Sequence, residues 1–212
     1  MTAYEEQEDL DRLKTWWKNY GNSVIFGILL GAAILVGFRY WTQNKEQQLH
    51  TAAGLYERMF QDIYAKKSGD ARKSGELLIN EYSSTPYAGM AGLMLARLDF
   101  EAGDAAKARE RLQWVVGHAD DAAVKHVARL RLARIHLGSG DKEAALALLN
   151  VKERAGFEAE YEELKGDILV AQGQHDAART AYREALKHLP AGSSYAPMLN
   201  MKLDDLGPEK TS

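Results

Sequence analysis

Six histidines (His50, His118, His126, His136, His175 and His188) and thirty acidic residues are the side chains best suited to holding a metal or moving a proton near neutral pH. Such work needs them grouped, for example two histidines one helical turn apart on a face that also carries a glutamate. The histidines are instead scattered, with no H-x-x-x-H spacing anywhere. Glu158, Glu160, Glu162 and Glu163 are close in sequence, but acids in such a run read most simply as a solvated helix face. No G-x-S-x-G elbow, phosphate-binding glycine loop or dinucleotide fingerprint occurs. The absence of cysteine removes disulfides, thiolate chemistry and cysteine-type zinc sites together. The sequence therefore predicts no enzyme, no cofactor and no bound metal. A net charge of −3 with no Lys/Arg block or basic aromatic stripe also argues against nucleic acid as a partner.

Binding chemistry remains, and the elements that must position it begin with a membrane anchor. From Asn19 to Phe38 the chain carries no charge, and a helix of that length covers about 30 Å, the hydrocarbon thickness of a bilayer. Val24, Ile25, Phe26, Ile28, Leu29, Leu30, Ile34, Leu35, Val36 and Phe38 favour insertion by about 0.3 to 0.6 kcal/mol each. Trp16, Trp17 and Tyr20 before the run, and Tyr40 and Trp41 after it, suit the two interfaces, with Lys18 and Arg39 reaching for head groups. A cleaved secretory signal would show a basic start and small residues at the cut site; here five acids (Glu5, Glu6, Glu8, Asp9, Asp11) precede the run and Arg39-Tyr40-Trp41 follows it. An uncleaved signal anchor is predicted, in contact with membrane lipid. The basic residues nearly balance, Arg12, Lys14 and Lys18 against Arg39, Lys45 and Arg58, leaning slightly toward a cytoplasmic N-terminus. Gly27 and Gly31, with Ala33 and Gly37, give one face the small-residue spacing that admits a second transmembrane helix, although glycine is also simply frequent in spans.

Beyond the anchor the chain repeats itself. Three segments align, from Ala96, Ala133 and Gly166, with turn glycines Gly103, Gly140 and Gly173. Each reads as an antiparallel helix pair in which a small residue on the first helix (Ala96, Ala133, Gly166) faces one on the second (Ala108, Ala145, Ala178). Glycine ends the first helix, and Asp104, Asp141 or Asp176 favours the start of the second. The pattern resembles the tetratricopeptide repeat, about 34 residues long, and the last copy fits best through Gly166, Ala178, Tyr182, Ala185 and Pro190. A weaker copy runs from about Leu55 to Tyr87 with Gly69 at its turn, Asp62 and Ser74 at its small positions and Pro86 at its end. Residues from about Asn44 to Lys66 read as one continuous helix. After Pro190, a Ser-capped helix with Met198, Leu199, Met201, Leu203 and Leu206 on one face is the expected terminal cap, closed by Gly207 and Pro208. The predicted fold is all-α: a single transmembrane helix followed by a tetratricopeptide-like α-solenoid of about three or four hairpins and a C-terminal capping helix. The predicted boundaries are 1–18 for a cytoplasmic tail, 19–41 for the anchor and 42–212 for the repeat domain.

A solenoid of this kind binds on its concave face, which the first helices line. Helical spacing predicts Tyr56, Met59 and Ile63 there in the first unit, Met90, Leu93, Arg97 and Phe100 in the second, and Val127, Leu130, Arg134 and Leu137 in the third. That would be an apolar groove with two stacked arginines, suited to an unfolded segment or a partner helix; Glu160, Glu163 and Asp167 make its far end acidic. The competing reading is that these stripes are core, buried by neighbouring helices.

The segment EEQEDLDRLKTWWKNYG at residues 5 to 21, the Tyr-Trp exit from the span and the divergent repeats beyond resemble the YfgM family, ancillary subunits of the bacterial Sec translocon. The resemblance covers essentially the whole chain. It implies a bacterial inner-membrane protein with a cytoplasmic N-terminus and a periplasmic repeat domain, partnered by Sec translocon subunits and a PpiD-like periplasmic chaperone of the peptidyl-prolyl isomerase type. The implied role is assisting exported unfolded chains as they emerge. The alternative is a structural scaffold for an envelope or division complex that holds one folded partner.

Overall fold

The computed structural model describes residues 3–154 and 156–207. The side chains of Glu5, Glu6, Glu8, Asp9, Asp11 and Val24, and Pro208 as a whole, lie outside the described residues. Within them the regular structure is helical: α1 (Ala3–Tyr64), α2 (Ser68–Glu81), α3 (Pro86–Glu101), α4 (Ala105–His118), α5 (Ala122–Gly138), α6 (Lys142–Leu148), α7 (Glu158–Ala171), α8 (His175–His188) and α9 (Ala196–Asp204). The chain divides into two compact units, one ending at His50 and one beginning at Thr51.

In the first unit α1 is long and apolar enough to cross a membrane, and only 6% of its apolar window is buried. Phe26, Leu29, Leu35 and Phe38 are all exposed, and a helix apolar on every side has no single face to turn toward a protein core. Trp16, Trp17 and Tyr20 flank the run on one side; on the other, Lys45 Nζ sits 4.1 Å from the centre of the Trp41 ring. Cβ atoms added at Gly27, Gly31 and Gly37 would meet nothing within 4 Å.

In the second unit the end of α1 packs with α2, and α3–α4, α5–α6 and α7–α8 follow as hairpins capped by α9. Gly103, Gly140 and Gly173 take φ of +84°, +86° and +77°, the left-handed geometry that ends the first helix of each pair. The Asp104 carboxylate then accepts from the Lys107 N–H at 2.9 Å and Asp141 from the Ala144 N–H at 3.1 Å, capping α4 and α6. Asp176 behaves differently. Gln174 holds the cap position of α8 without a side-chain bond, and Asp176 lies inside the first turn, where its charge meets the helix dipole. Between paired helices the predicted small residues are buried: Ala96, Ala108, Ala133, Ala145 and Ala178. At Gly166 a Cβ would stand 2.4 Å from the Tyr182 ring, so only glycine admits that aromatic.

The first hairpin departs from the sequence expectation. Its turn falls at Lys66, with φ of +58°, and Gly69 is inside the first turn of α2. The Lys67 N–H reaches back to the Asp62 carbonyl at 2.8 Å, a helix-ending bond that makes the left-handed residue a lysine here. Close approach on α2 occurs at Gly75, whose absent Cβ leaves room for Leu95 and Met59, one residue beyond the expected Ser74. At the other end, α9 starts without a serine cap: Ser193 Oγ accepts from the Tyr195 N–H at 3.2 Å, ahead of the helix. Leu199 is fully buried and Leu203 and Leu206 partly so, but Met201 is 59% exposed and leaves the apolar face.

Candidate partner-binding cleft

The first helices of the second and third hairpins, α3 and α5, bound a cleft of about 580 Å³ with the first half of α4. Ala96, Arg97 and Phe100 line it from α3, Ala105 and Leu112 from α4, and Arg131, Arg134, Ile135 and Gly138 from α5, with Ser139 at the rim. Phe100 is 54% exposed there although it is a large aromatic on an ordered helix. Arg97 and Arg134, both predicted for a binding groove, line this cleft together. Arg97 Nε donates to Glu101 at 2.7 Å, and that hydrogen bond and charge hold its pKa above the ordinary arginine value.

Other predicted groove residues go elsewhere. Met59 and Leu130 are buried core and offer no surface, Met59 among Ala71, Leu78 and Leu95, Leu130 among Tyr161, Leu164 and Ile168. Tyr56, Ile63, Leu93 and Leu137 are half-buried against core clusters, Tyr56 with its ring 5.6 Å from that of Tyr87. Met90 and Val127 are half-buried away from the cleft lining. The acidic end is closed as well. Lys202 of α9 donates to Glu163 at 2.6 Å and to Asp167 at 2.7 Å, while the hydroxyls of Tyr195 and Tyr182 donate to the same two carboxylates at 2.7 and 2.8 Å. Burial would lower the Lys202 pKa, and the two acids outweigh it and hold it high; burial and the carboxylates together raise both tyrosines. Those acids therefore fasten the capping helix instead of facing a ligand.

Over residues 14–208 the chain matches the tetratricopeptide repeat-like domain family. It is 29% identical over 206 residues to the ancillary SecYEG translocon subunit of Haemophilus influenzae, covering 96% of this chain and 98% of that one. With the protein of the same name from Neisseria gonorrhoeae it shares 30% identity over 209 residues, 97% of this chain and all of the other. The chain belongs to the ancillary SecYEG translocon subunit family. Its Escherichia coli member is 27% identical over 207 residues, again with 97% and 99% coverage. Membership in this translocon-subunit family agrees with the resemblance drawn from residues 5 to 21 and with the repeat pattern.

For this member of the family, spacing alone missed Arg131 and Ile135. The open face of α5 runs through Arg131, Arg134, Ile135 and Gly138, one residue around the helix and nearer its end than the predicted stripe through Leu130 and Leu137. An arginine one step from a leucine stripe was the available signal, because an arginine keeps its charged head toward water.

Of the histidines, His126 is the one built into the interior. Its Nδ1 lies 2.9 Å from the Tyr161 hydroxyl and its ring stacks on Phe157 with centres 5.4 Å apart. Burial holds its pKa below the ordinary value, Arg129 adds to this and Glu158 partly opposes it. Unfolded, the same ring takes a proton near pH 6.5, so acid favours the unfolded chain. Stability of the full-length protein in detergent is expected to fall as pH drops below about 6.5, and a His126→Gln variant should show a flatter loss over that window in urea melts. An unchanged slope would remove His126 from the account.

Proposed function

We propose that this chain is a single-pass inner-membrane subunit of the SecYEG translocon that assists exported proteins as they emerge. Residues 1–18 lie in the cytoplasm, 19–41 span the membrane and 42–212 form the periplasmic repeat domain. The observation that carries the reading is likeness along nearly the whole chain, anchor and repeats together, to proteins named as ancillary SecYEG translocon subunits. The exposed apolar span and the cleft at Phe100 support it, one as a tether and the other as a surface for polypeptide. Gly27, Gly31, Ala33 and Gly37 offer the close-packing face for a neighbouring transmembrane helix, and a membrane-anchored PpiD-like chaperone is the partner in the periplasm.

A photo-crosslinking residue placed at Phe100 in the full-length protein tests this in cells. Adducts with translocon subunits, with the isomerase-like chaperone and with many exported chains, the last lost when export is blocked, are the expected result. A single adduct of constant size, indifferent to export, would overturn the reading in favour of a scaffold. Release of the protein by alkaline carbonate would remove the anchor.

A further inference from the structure

The cleft between α3 and α5 is unbalanced in charge. Burial lowers the Arg131 guanidinium from its ordinary pKa, and the charges of Arg97 and Arg134 push it further the same way. It stays charged all the same, since arginine titrates far above physiological pH. The carboxylates nearby in sequence are committed: Glu101 to Arg97, Asp104 to the Lys107 N–H, and Asp141 to the Ala144 N–H and to His136 Nδ1 at 3.3 Å. Among the described residues Arg131 and Arg134 have no carboxylate within ion-pair distance. Three other arginines of this domain do have one: Arg72 and Arg111 meet Asp99, and Arg154 meets Glu162. Beside the two unmatched cations stand the exposed ring of Phe100 and the side chain of Ile135.

We propose that the cleft takes an extended polypeptide segment in which a carboxylate stands next to a bulky apolar side chain. The carboxylate meets Arg131 and Arg134 and the apolar group covers Phe100. Complementary charge argues for the acid, since a guanidinium offers paired donors to a carboxylate. The cleft is open-sided, so a chain can enter and leave it, and its volume suits a few side chains. This inference rests on the interaction-module reading above and specifies the chemistry of what that module selects.

The test uses the full-length protein in nanodiscs and two fluorescent peptides of about a dozen residues, alike except that one has aspartate between its leucines and the other asparagine. Fluorescence anisotropy should show the aspartate peptide binding about tenfold more tightly, with the advantage shrinking as salt rises. An Arg131→Gln/Arg134→Gln variant should abolish the difference while keeping its helicity and its residual affinity for the asparagine peptide. Equal affinity of the unmodified protein for both peptides overturns the proposal, and that comparison decides it even if the double variant is unstable. A preference that persists in a folded double variant overturns it too, since the acid would then be read elsewhere. Either failure leaves the broader reading to be judged by the Phe100 crosslinks, which do not depend on which segments are preferred.

Discussion

Glutamate in place of Leu130 is expected to unfold the repeat domain, whereas glutamate in place of Phe100 is expected to leave it folded and cost it its ligand. The two large apolar side chains sit on the first helices of neighbouring hairpins, yet Leu130 is 3% exposed and Phe100 is 54% exposed. Truncating a buried leucine to alanine alone costs about 2 to 5 kcal/mol. A carboxylate at that depth, packed in the apolar cluster of Tyr161, Leu164 and Ile168, adds the cost of desolvation. Domains of this size have only about 5 to 15 kcal/mol to lose. At Phe100 the new charge faces water and sits near Arg97, Arg131 and Arg134, so the helix stands while the apolar contact is gone. Far-UV circular dichroism of each full-length variant, followed by Phe100-region peptide binding, separates the outcomes. Wild-type melting of Leu130→Glu would contradict its place in the core, and loss of helicity in Phe100→Glu would mean that the cleft is not a free surface.

The second large effect is at Asp99, 1% exposed in the interior of the second hairpin. Its carboxylate accepts from Arg72 of α2 and lies 3.6 Å from Arg111 Nε of α4; Arg72 also donates to the Leu98 carbonyl at 2.9 Å, and Arg111 pairs with Glu76. One acid thus ties three helices. Asp99→Ala leaves the partly buried Arg72 guanidinium with only the Leu98 carbonyl while Arg111 keeps Glu76, and a loss of about 3 kcal/mol in urea unfolding is expected. Adding Arg72→Met should recover part of that loss, because a flexible apolar chain replaces an unmatched cation. If the two substitutions simply add, the ion pair contributes nothing of its own and the cluster is packing alone.

What the sequence made legible was whatever local chemistry decides. Glycine at 103, 140 and 173 and aspartate at 104 and 141 specify turns and caps through their own backbone and side-chain preferences, and the structure places them so. The turn at Lys66 was hidden because a left-handed lysine is selected by the surrounding helix ends, with Gly69 a more attractive candidate on propensity. The cleft was half legible. Periodicity found Arg97, Phe100 and Arg134, but it could not set how far α5 is rotated, and a turn of one residue moves Leu130 inward and brings Arg131 out. The clasp of Lys202 on Glu163 and Asp167 joins residues more than thirty positions apart, a pairing that no spacing rule within one helix reveals.

From α2 onward, each described helix of the stack packs chiefly on its neighbours in sequence, and where it reaches farther it skips only one. The loops closed in forming it are short, so the entropic penalty of assembly accrues in small steps and folding speed should approach that of local helical bundles. A chain delivered N-terminus first, as from a ribosome or a membrane channel, can lay down each pair on the one before it without waiting for a distant strand. Maturation is then vectorial, and the docking of Leu199 and Lys202 follows the folding of the last hairpin and shields the apolar side of α8.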